Sequence, residues 1–418
     1  MEKKKLYAAI VGYGNRGQVY GDYSLQCPDE FGVAAVIDPK EFKLREAKER
    51  YGLSDERLFY DFASFLKSGI ECDFVINATM DQFHYETTME ILGAGYDLLV
   101  EKPIVPNEKE LLDIKNLAEK KGVRVFVCHV LRYSPFYTKI KEILNSGVIG
   151  KIMTMEMNEH VCRQHYLASY DRGKWNSEDG CGSGFLLAKC CHDMDIMLWL
   201  ADSRCESISS FGELSYFKEE NAPEGAPYYC LDGCPYRDEC AFYAPRFYLK
   251  HPKAVDDGLV YAVTDNTDPS HVLETLKKGP YGRCVFHCDN TVVDHQTVDI
   301  MFENQVTASF LMTAFTNQCA RRIRLMGTKG EIKGDMDAGI IEITDFVSGD
   351  QEKIMLHTPA QGHNGSDISM MRDFVRMIGA GKKGKTDAAV SVESHLMALA
   401  AEEARKTEKV IEFRGFCK

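Results

Sequence analysis

The chain has 418 residues, 44% of them hydrophobic and 27% charged, and a formal net charge of −13. That length suits two or three domains with sizeable cores, and the acidic balance argues against a general nucleic-acid surface. No stretch approaches the roughly 18 apolar residues of a membrane span, and Lys3-Lys4-Lys5 precedes only a strand-length apolar run, too short for a secretory signal. A cytoplasmic protein with neither nucleic-acid nor membrane partners is therefore expected.

In chain order, the apolar run Leu6–Val11 feeds directly into Gly12-Tyr13-Gly14-Asn15-Arg16-Gly17. The next apolar run, Val33–Ile37, ends at Asp38. Strand, glycine turn, strand and acid in this order fit a dinucleotide fingerprint. The first glycine permits a tight turn, the second lets backbone approach a pyrophosphate, and the third lets a helix pack close to the strand. The pyrophosphate would sit at that helix's N-terminus. Asp38 favours NAD, because a carboxylate accepts hydrogen bonds from a ribose 2′-OH and repels a 2′-phosphate. Lys40 keeps NADP as the lesser alternative.

Further strands are expected at Phe74–Ala78, Leu98–Glu101 and Val123–Cys128, and helices at Lys40–Tyr51 and Phe83–Leu92. The clearest helix follows Pro106: Asn107 can cap it, Glu110 stands three residues on, and Gly122 follows its end. Alternating strands and helices predict a doubly wound parallel sheet, an α/β nucleotide-binding domain over residues 1–128. Ligands of such a sheet bind at the carboxyl ends of its strands.

After about residue 130 the rhythm changes. A helix near Phe136–Asn145 leads to a strand near Lys151–Asn158, and residues 293–315 alternate as strands around Glu303-Asn304. Short strands follow near Ile323–Met326, Gly330–Lys333 and Ile340–Ile343, then helices near Ser366–Ile378 and Ser391–Thr407. Period-two alternation predicts a mostly antiparallel sheet with one buried face, in a second α/β domain over 129–418. Residues 218–290, with several prolines and cysteines, read as an irregular insertion.

Two constellations could carry chemistry. Glu101-Lys102-Pro103 lies at a strand's carboxyl end, where a lysine can relay protons, although a surface lysine before a turn proline looks the same. Downstream, Gly182-Ser183-Gly184 opens a stretch in which Ala188, Lys189, His192 and Asp195 share a helix face by i+3 and i+4 spacing. A histidine with lysine one turn before it and aspartate one turn after it is a plausible acid/base group, and equally a polar helix face. His129, Arg132 and Tyr133, beyond the last strand of the first domain, are candidate contacts for a hydroxyl-rich substrate. Trp175 could stack on a sugar face, and His363, just before the helix expected to start near Ser366, is a further candidate substrate contact.

The chain holds 15 cysteines, and a reducing compartment predicts mostly free thiols. Cys230, Cys234 and Cys240 could bind a structural zinc, with Cys205, Cys284, His287 or Cys288 as fourth ligand. The spacing is looser than a paired-cysteine knuckle, so a disulfide or free thiols explain it as well.

Nearly the whole chain resembles the glucose–fructose oxidoreductase / inositol dehydrogenase (Gfo/Idh/MocA) family. The resemblance rests on Gly12–Gly17, on Ala78-Thr79 with His84 beyond, and on Glu101-Lys102-Pro103. It rests also on Arg132-Tyr133 with Pro135, on the glycine-rich entry to His192-Asp193 with Asp195, and on Met326–Gly330. It implies a Rossmann domain, a second domain with an open, largely antiparallel sheet, a nicotinamide cofactor, and homo-oligomers formed through that sheet. It also implies that Lys102 and His192 are catalytic, that the Lys102–Pro103 bond is cis, and that Ala78, Thr79, His84, Glu101, Lys102 and Pro103 join the glycine loop at the cofactor. Relatives commonly carry an aspartate where this chain has Ala188, and Lys189 could substitute for it.

The leading expectation is an NAD-dependent oxidoreductase acting on a secondary hydroxyl of a sugar, glycoside or cyclic polyol. A glycoside hydrolase or lyase that retains NAD and works through a transient keto-sugar is the alternative motivated by Ala188 and Lys189. A non-catalytic nucleotide or sugar sensor on the same fold is the third.

Overall fold

The structure, a computed structural model, describes residues 4–251, 258–357, 362–382 and 384–416. The first sheet contains β1 (Leu6–Val11), β2 (Phe31–Ile37), β3 (Leu58–Phe59), β4 (Phe74–Asn77), β5 (Leu98–Val100) and β6 (Val125–Val127). All pair in parallel, in the order β3-β2-β1-β4-β5-β6, the doubly wound arrangement expected. The strands read as unbroken apolar runs because helices cover both sheet faces. The order reverses beside β1, which puts the β1 glycine turn at the crevice where such sheets take ligands. The helix at Glu108–Lys121 has the predicted ends: the Glu110 N–H donates to Asn107 Oδ1 (3.0 Å), and Gly122 stops it at φ 66°.

The second sheet contains β7 (Ile152–Cys162), β8 (Cys205–Glu213), β9 (His295–Phe302), β10 (Thr307–Thr316), β11 (Ala320–Gly327), β12 (Gly330–Asp335), β13 (Ile340–Asp345), β14 (Gln351–Met355) and β15 (Ile411–Glu412). Its order is β14-β13-β12-β11-β7-β10-β9-β8-β15, and only the β10–β7 pair is parallel. Strict alternation along β9 and β10 buries Val298, Ile300, Phe310 and Met312 under the helices Phe185–Ala201 and Ala388–Thr407. The other face exposes Met301, Leu311 and Phe315.

Two features depart from the sequence reading. Residues 218–290 hold short helices at Ala244–Lys250, Val260–Val263 and Pro269–Leu276, and Phe247, Tyr248, Leu276 and Phe286 join the main core. The described part of this segment is irregular in backbone yet packed, because its apolar residues are spaced to reach one core. The helix Gly362–Gly379, late in the chain, returns to the first sheet. Phe374 packs edge-on against Phe74 and Phe126, with ring centroids 4.7 and 4.8 Å away.

Candidate active site

The glycine loop is shaped by backbone contacts. Gly12 has φ +85°, and a Cβ there would lie 2.6 Å from the Ala78 carbonyl oxygen. A Cβ on Gly17 would meet the Gly12 carbonyl oxygen at 2.2 Å. Gly14 differs, because a Cβ there meets nothing within 4 Å. The outer glycines are therefore required by packing, and the middle one keeps open the approach a pyrophosphate would use. Asp38, at the end of β2, accepts hydrogen bonds from the Tyr13 N–H (2.8 Å) and the Lys40 N–H (2.9 Å). These bonds hold its carboxylate against the loop, where an adenosine ribose would lie. The residues present fit a dinucleotide.

The carboxyl ends of β4 and β5 form the next part of the crevice. The Asn77 amide donates to Thr87 Oγ1 (2.7 Å), and its oxygen accepts from the Thr79 hydroxyl (2.8 Å). His84 is buried, with Nδ1 2.7 Å from the Pro103 carbonyl oxygen and Nε2 3.0 Å from that of Thr79. One imidazole thus pins the Thr79 turn to the Lys102–Pro103 turn, whose peptide bond is cis. Burial works against charge on Glu101, but Arg16 and Lys102 outweigh it and hold its pKa below the usual carboxylate value.

Lys102 reaches out of this turn to the second domain, where Nζ donates to the Ala188 carbonyl oxygen (2.7 Å). Ala188 lies one turn before His192 on the helix Phe185–Ala201. The His192 and His129 rings meet edge-to-face with centroids 5.8 Å apart, and His395 stands 6.3 Å beyond His129. The Ile104 N–H donates to His395 Nε2 (2.9 Å). Neither nitrogen of the fully buried His129 has a hydrogen-bond partner among the described residues. Burial depresses the His129 pKa, with Arg132 and Lys102 reinforcing and Asp195 opposing. Burial likewise depresses that of His395, helped by His129, His84 and Lys102. An amine and a cluster of imidazoles, contributed by both domains, therefore meet beyond the ends of β5 and β6. Such a set can hold a hydroxyl and take its proton.

The chain matches the oxidoreductase-family NAD-binding Rossmann fold of Gfo/Idh/MocA proteins over residues 6–129 and that family's C-terminal alpha/beta domain over residues 141–412. It belongs to the Gfo/Idh/MocA oxidoreductase family. YteT of Bacillus subtilis (strain 168), named as an oxidoreductase, is 24% identical over 269 residues, which are 63% of this chain and 60% of YteT. The chain thus spans less than two thirds of that relative. Levoglucosan dehydrogenase, solved with NADH and levoglucosan, shares the fold at a TM-score of 0.72 and 15% identity, covering 98% of this chain and 100% of that one. The scyllo-inositol dehydrogenase of Lactobacillus casei does so at a TM-score of 0.68 and 15% identity, covering 99% and 100%.

In this Gfo/Idh/MocA member several side chains expected at ligands are engaged elsewhere. The Arg16 guanidinium turns from the glycine loop to Glu101 (2.6 Å), Asp367 (2.6 Å) and the Tyr20 hydroxyl (2.5 Å). These three polar partners hold the guanidinium on the side of the loop facing Glu101 and Asp367. Glu101 is held by Arg16, Tyr20 and the Lys102 N–H (2.8 Å). Arg132 and Asp195 form a buried two-bond pair (2.6 and 2.8 Å), which Ser394 also joins. Two opposite charges removed from water satisfy each other first, so they brace the site from behind.

The expected common face of the Phe185–Ala201 helix also divides. Lys189 lies one residue past Ala188, which turns it about 100° around the helix, and its amine sits 3.7 Å from Glu159 on β7. The Tyr133 hydroxyl is 3.4 Å from Thr386 Oγ1, and its ring lines a separate cavity of about 650 Å³ with Lys4 and Leu6 at the amino end of β1. It lies away from the crevice because it packs under the returning helix Gly362–Gly379. Trp175 donates from Nε1 to Asp81 (3.2 Å), which also accepts from the Ser183 hydroxyl (3.0 Å), and Lys174 lies over its ring. It joins the two domains at the end of β4. The side chain of His363 lies outside the described residues.

Among the described residues no group of three or more His, Cys, Asp or Glu side chains is arranged to hold a metal ion. Cys230 instead meets the buried Arg172 guanidinium (3.8 Å) and the Arg283 carbonyl (3.7 Å), and Cys234 and Cys240 form no disulfide among the described residues. No helix among the described residues is long and apolar enough to cross a membrane. Asp81, Asp367 and His395 escaped sequence reasoning; each acts through a partner distant in the chain, and no local pattern marks them.

Proposed function

We propose that the chain is an NAD-dependent oxidoreductase acting on a secondary hydroxyl of a sugar, glycoside or cyclic polyol. One observation carries this reading: the Lys102 amine bridges to the Ala188 carbonyl, one turn from His192, beyond the strand ends where the glycine loop opens. The names of similar proteins, levoglucosan dehydrogenase and inositol dehydrogenases, support the substrate class.

Bound NAD supplies the hydride acceptor. The chain's residues handle the proton and the geometry. Lys102 and His192 flank the carbinol, and one of them takes the hydroxyl proton as the C–H bond breaks. The Ala188 carbonyl anchors the amine where relatives commonly place an aspartate, so the ammonium is oriented without a second acid. His129 offers a neighbouring hydroxyl a donor or an acceptor, whichever its ring nitrogens present. Arg132 and Asp195 keep His192 and His129 in register, and Lys189 acts on the sheet side, not at the carbinol. Asp38 selects NAD over NADP through the 2′-hydroxyl. The apolar side chains on the open face of the second sheet support a homo-oligomer formed there, which sedimentation would reveal.

Incubation with NAD and a panel of inositols, hexoses and glycosides tests the reading. Growth of NADH absorbance with at least one is the expected result; silence across the panel, with NAD bound, rejects it.

A further inference from the structure

Two thiols outside the crevice stand in contact at the end of the second sheet's central strand. Cys162 closes β7 and Cys319 sits in the connection between β10 and β11, with sulfur atoms 2.7 Å apart. Strand register explains the meeting. Thr316 of β10 lies opposite Cys162 and Ala320 of β11 opposite His160, so the 316–320 connection crosses the end of β7. Cys319 is exposed and Cys162 buried, and no disulfide joins them in this structure. The pair also stands at a junction. β7 runs directly into the segment carrying Trp175, and Lys189, paired with Glu159 of β7, lies close enough to act electrostatically on Cys319.

We propose that Cys162 and Cys319 are a reversible disulfide-forming pair that, when oxidised, ties the 316–320 connection to β7 and slows turnover. Only the effect on turnover rests on the oxidoreductase reading.

The chemistry needs a small disulfide, such as oxidised glutathione, as oxidant. The Cys319 thiolate attacks one sulfur of that reagent, and the reagent's S–S bond breaks to release one thiol. Cys162 then attacks the Cys319 sulfur and expels the second thiol as the protein S–S bond forms. Two protein thiols lose two protons and two electrons, and the reagent gains both. Exposure suits Cys319 to the first attack and contact suits Cys162 to the second. The hydrogen bond with Cys162 raises the Cys319 pKa above the usual thiol value while Lys189 opposes it, so oxidation should quicken as pH rises.

The test uses the full chain treated with oxidised glutathione, digested without reduction and mapped by mass spectrometry. A linked Cys162–Cys319 peptide pair, two hydrogen masses lighter and lost on treatment with dithiothreitol, is expected, and Cys319→Ser should abolish it. Turnover of the best polyol should fall several-fold on oxidation, recover with dithiothreitol and stay constant in C319S, with NAD affinity by fluorescence titration unchanged throughout. Glutathione retained on Cys319 without a cross-link, or cross-links only elsewhere, overturns the pairing. A linked pair with unchanged turnover overturns its control of activity. Were no polyol oxidised, the peptide map would still decide the pairing, and an unchanged melting temperature on oxidation would refute the tether.

Discussion

The two ends of the crevice are built in different ways. At the cofactor end, function depends on absent atoms: Gly12 and Gly17 leave no room for a Cβ, and Gly14 keeps its room open. At the proposed reactive end the design rests instead on side chains, Lys102, His129 and His192, brought together from both domains. Backbone shape is encoded in a few consecutive residues, whereas a side-chain cluster must be assembled by the whole fold. The first end should therefore fail through sterics and the second through lost chemistry or lost bracing.

Replacing Lys102 by Ala gives the largest expected effect, a fall in kcat of about 100- to 10,000-fold for a lost acid/base group. NAD affinity, read by fluorescence titration, should change little; a matching loss of binding would make Lys102 a cofactor residue instead. The bracing pair comes next. Arg132→Met leaves Asp195 charged and buried, and should cost about 3–5 kcal/mol in urea unfolding, while the double variant Arg132→Met/Asp195→Leu should recover much of that loss. A double variant no more stable than the single one would show that the pair does not act as a unit.

The glycines sharpen the contrast further. Gly17→Ala drives a methyl into the Gly12 carbonyl and should weaken both folding and NAD binding. Gly14→Ala, with open space around it, should keep its melting temperature and lose only NAD affinity. Equal behaviour of the two variants would remove the distinction between packed and open glycines. The smallest effect concerns pH. His129 and His395 have pKa values below the ordinary 6.5 in the folded protein, so the unfolded chain binds their protons first as pH drops. Stability should be full above pH 6.5 and decline as pH falls through and below that value, with His395→Gln flattening the decline in thermal melts.

The same contrast explains what the sequence revealed. The first strand, the glycine loop and the helix from Glu108 to Lys121 were legible, because each rests on neighbours within a turn or two. β3, with two residues, and β14, exposed along most of its length, show no periodicity to read. Lys102 and His192 stood out by motif. The pairing of Arg132 with Asp195 spans 63 residues, and the turn of Arg16 toward Asp367 spans 351, so both depend on the finished fold. The Ser366–Ile378 helix was recognisable as a helix, but its return to the first sheet was not, because an apolar face does not announce its partner.

That return has a consequence for any attempt to divide the protein. Residues 1–128 produced by themselves would present Phe74 and Phe126 to water and leave Arg16 short of the carboxylate that Asp367 provides. A nucleotide-binding half excised at the chemically obvious boundary should be sticky and poorly soluble, and adding back the stretch from Gly362 to Gly379 as a fused or separate peptide should restore it.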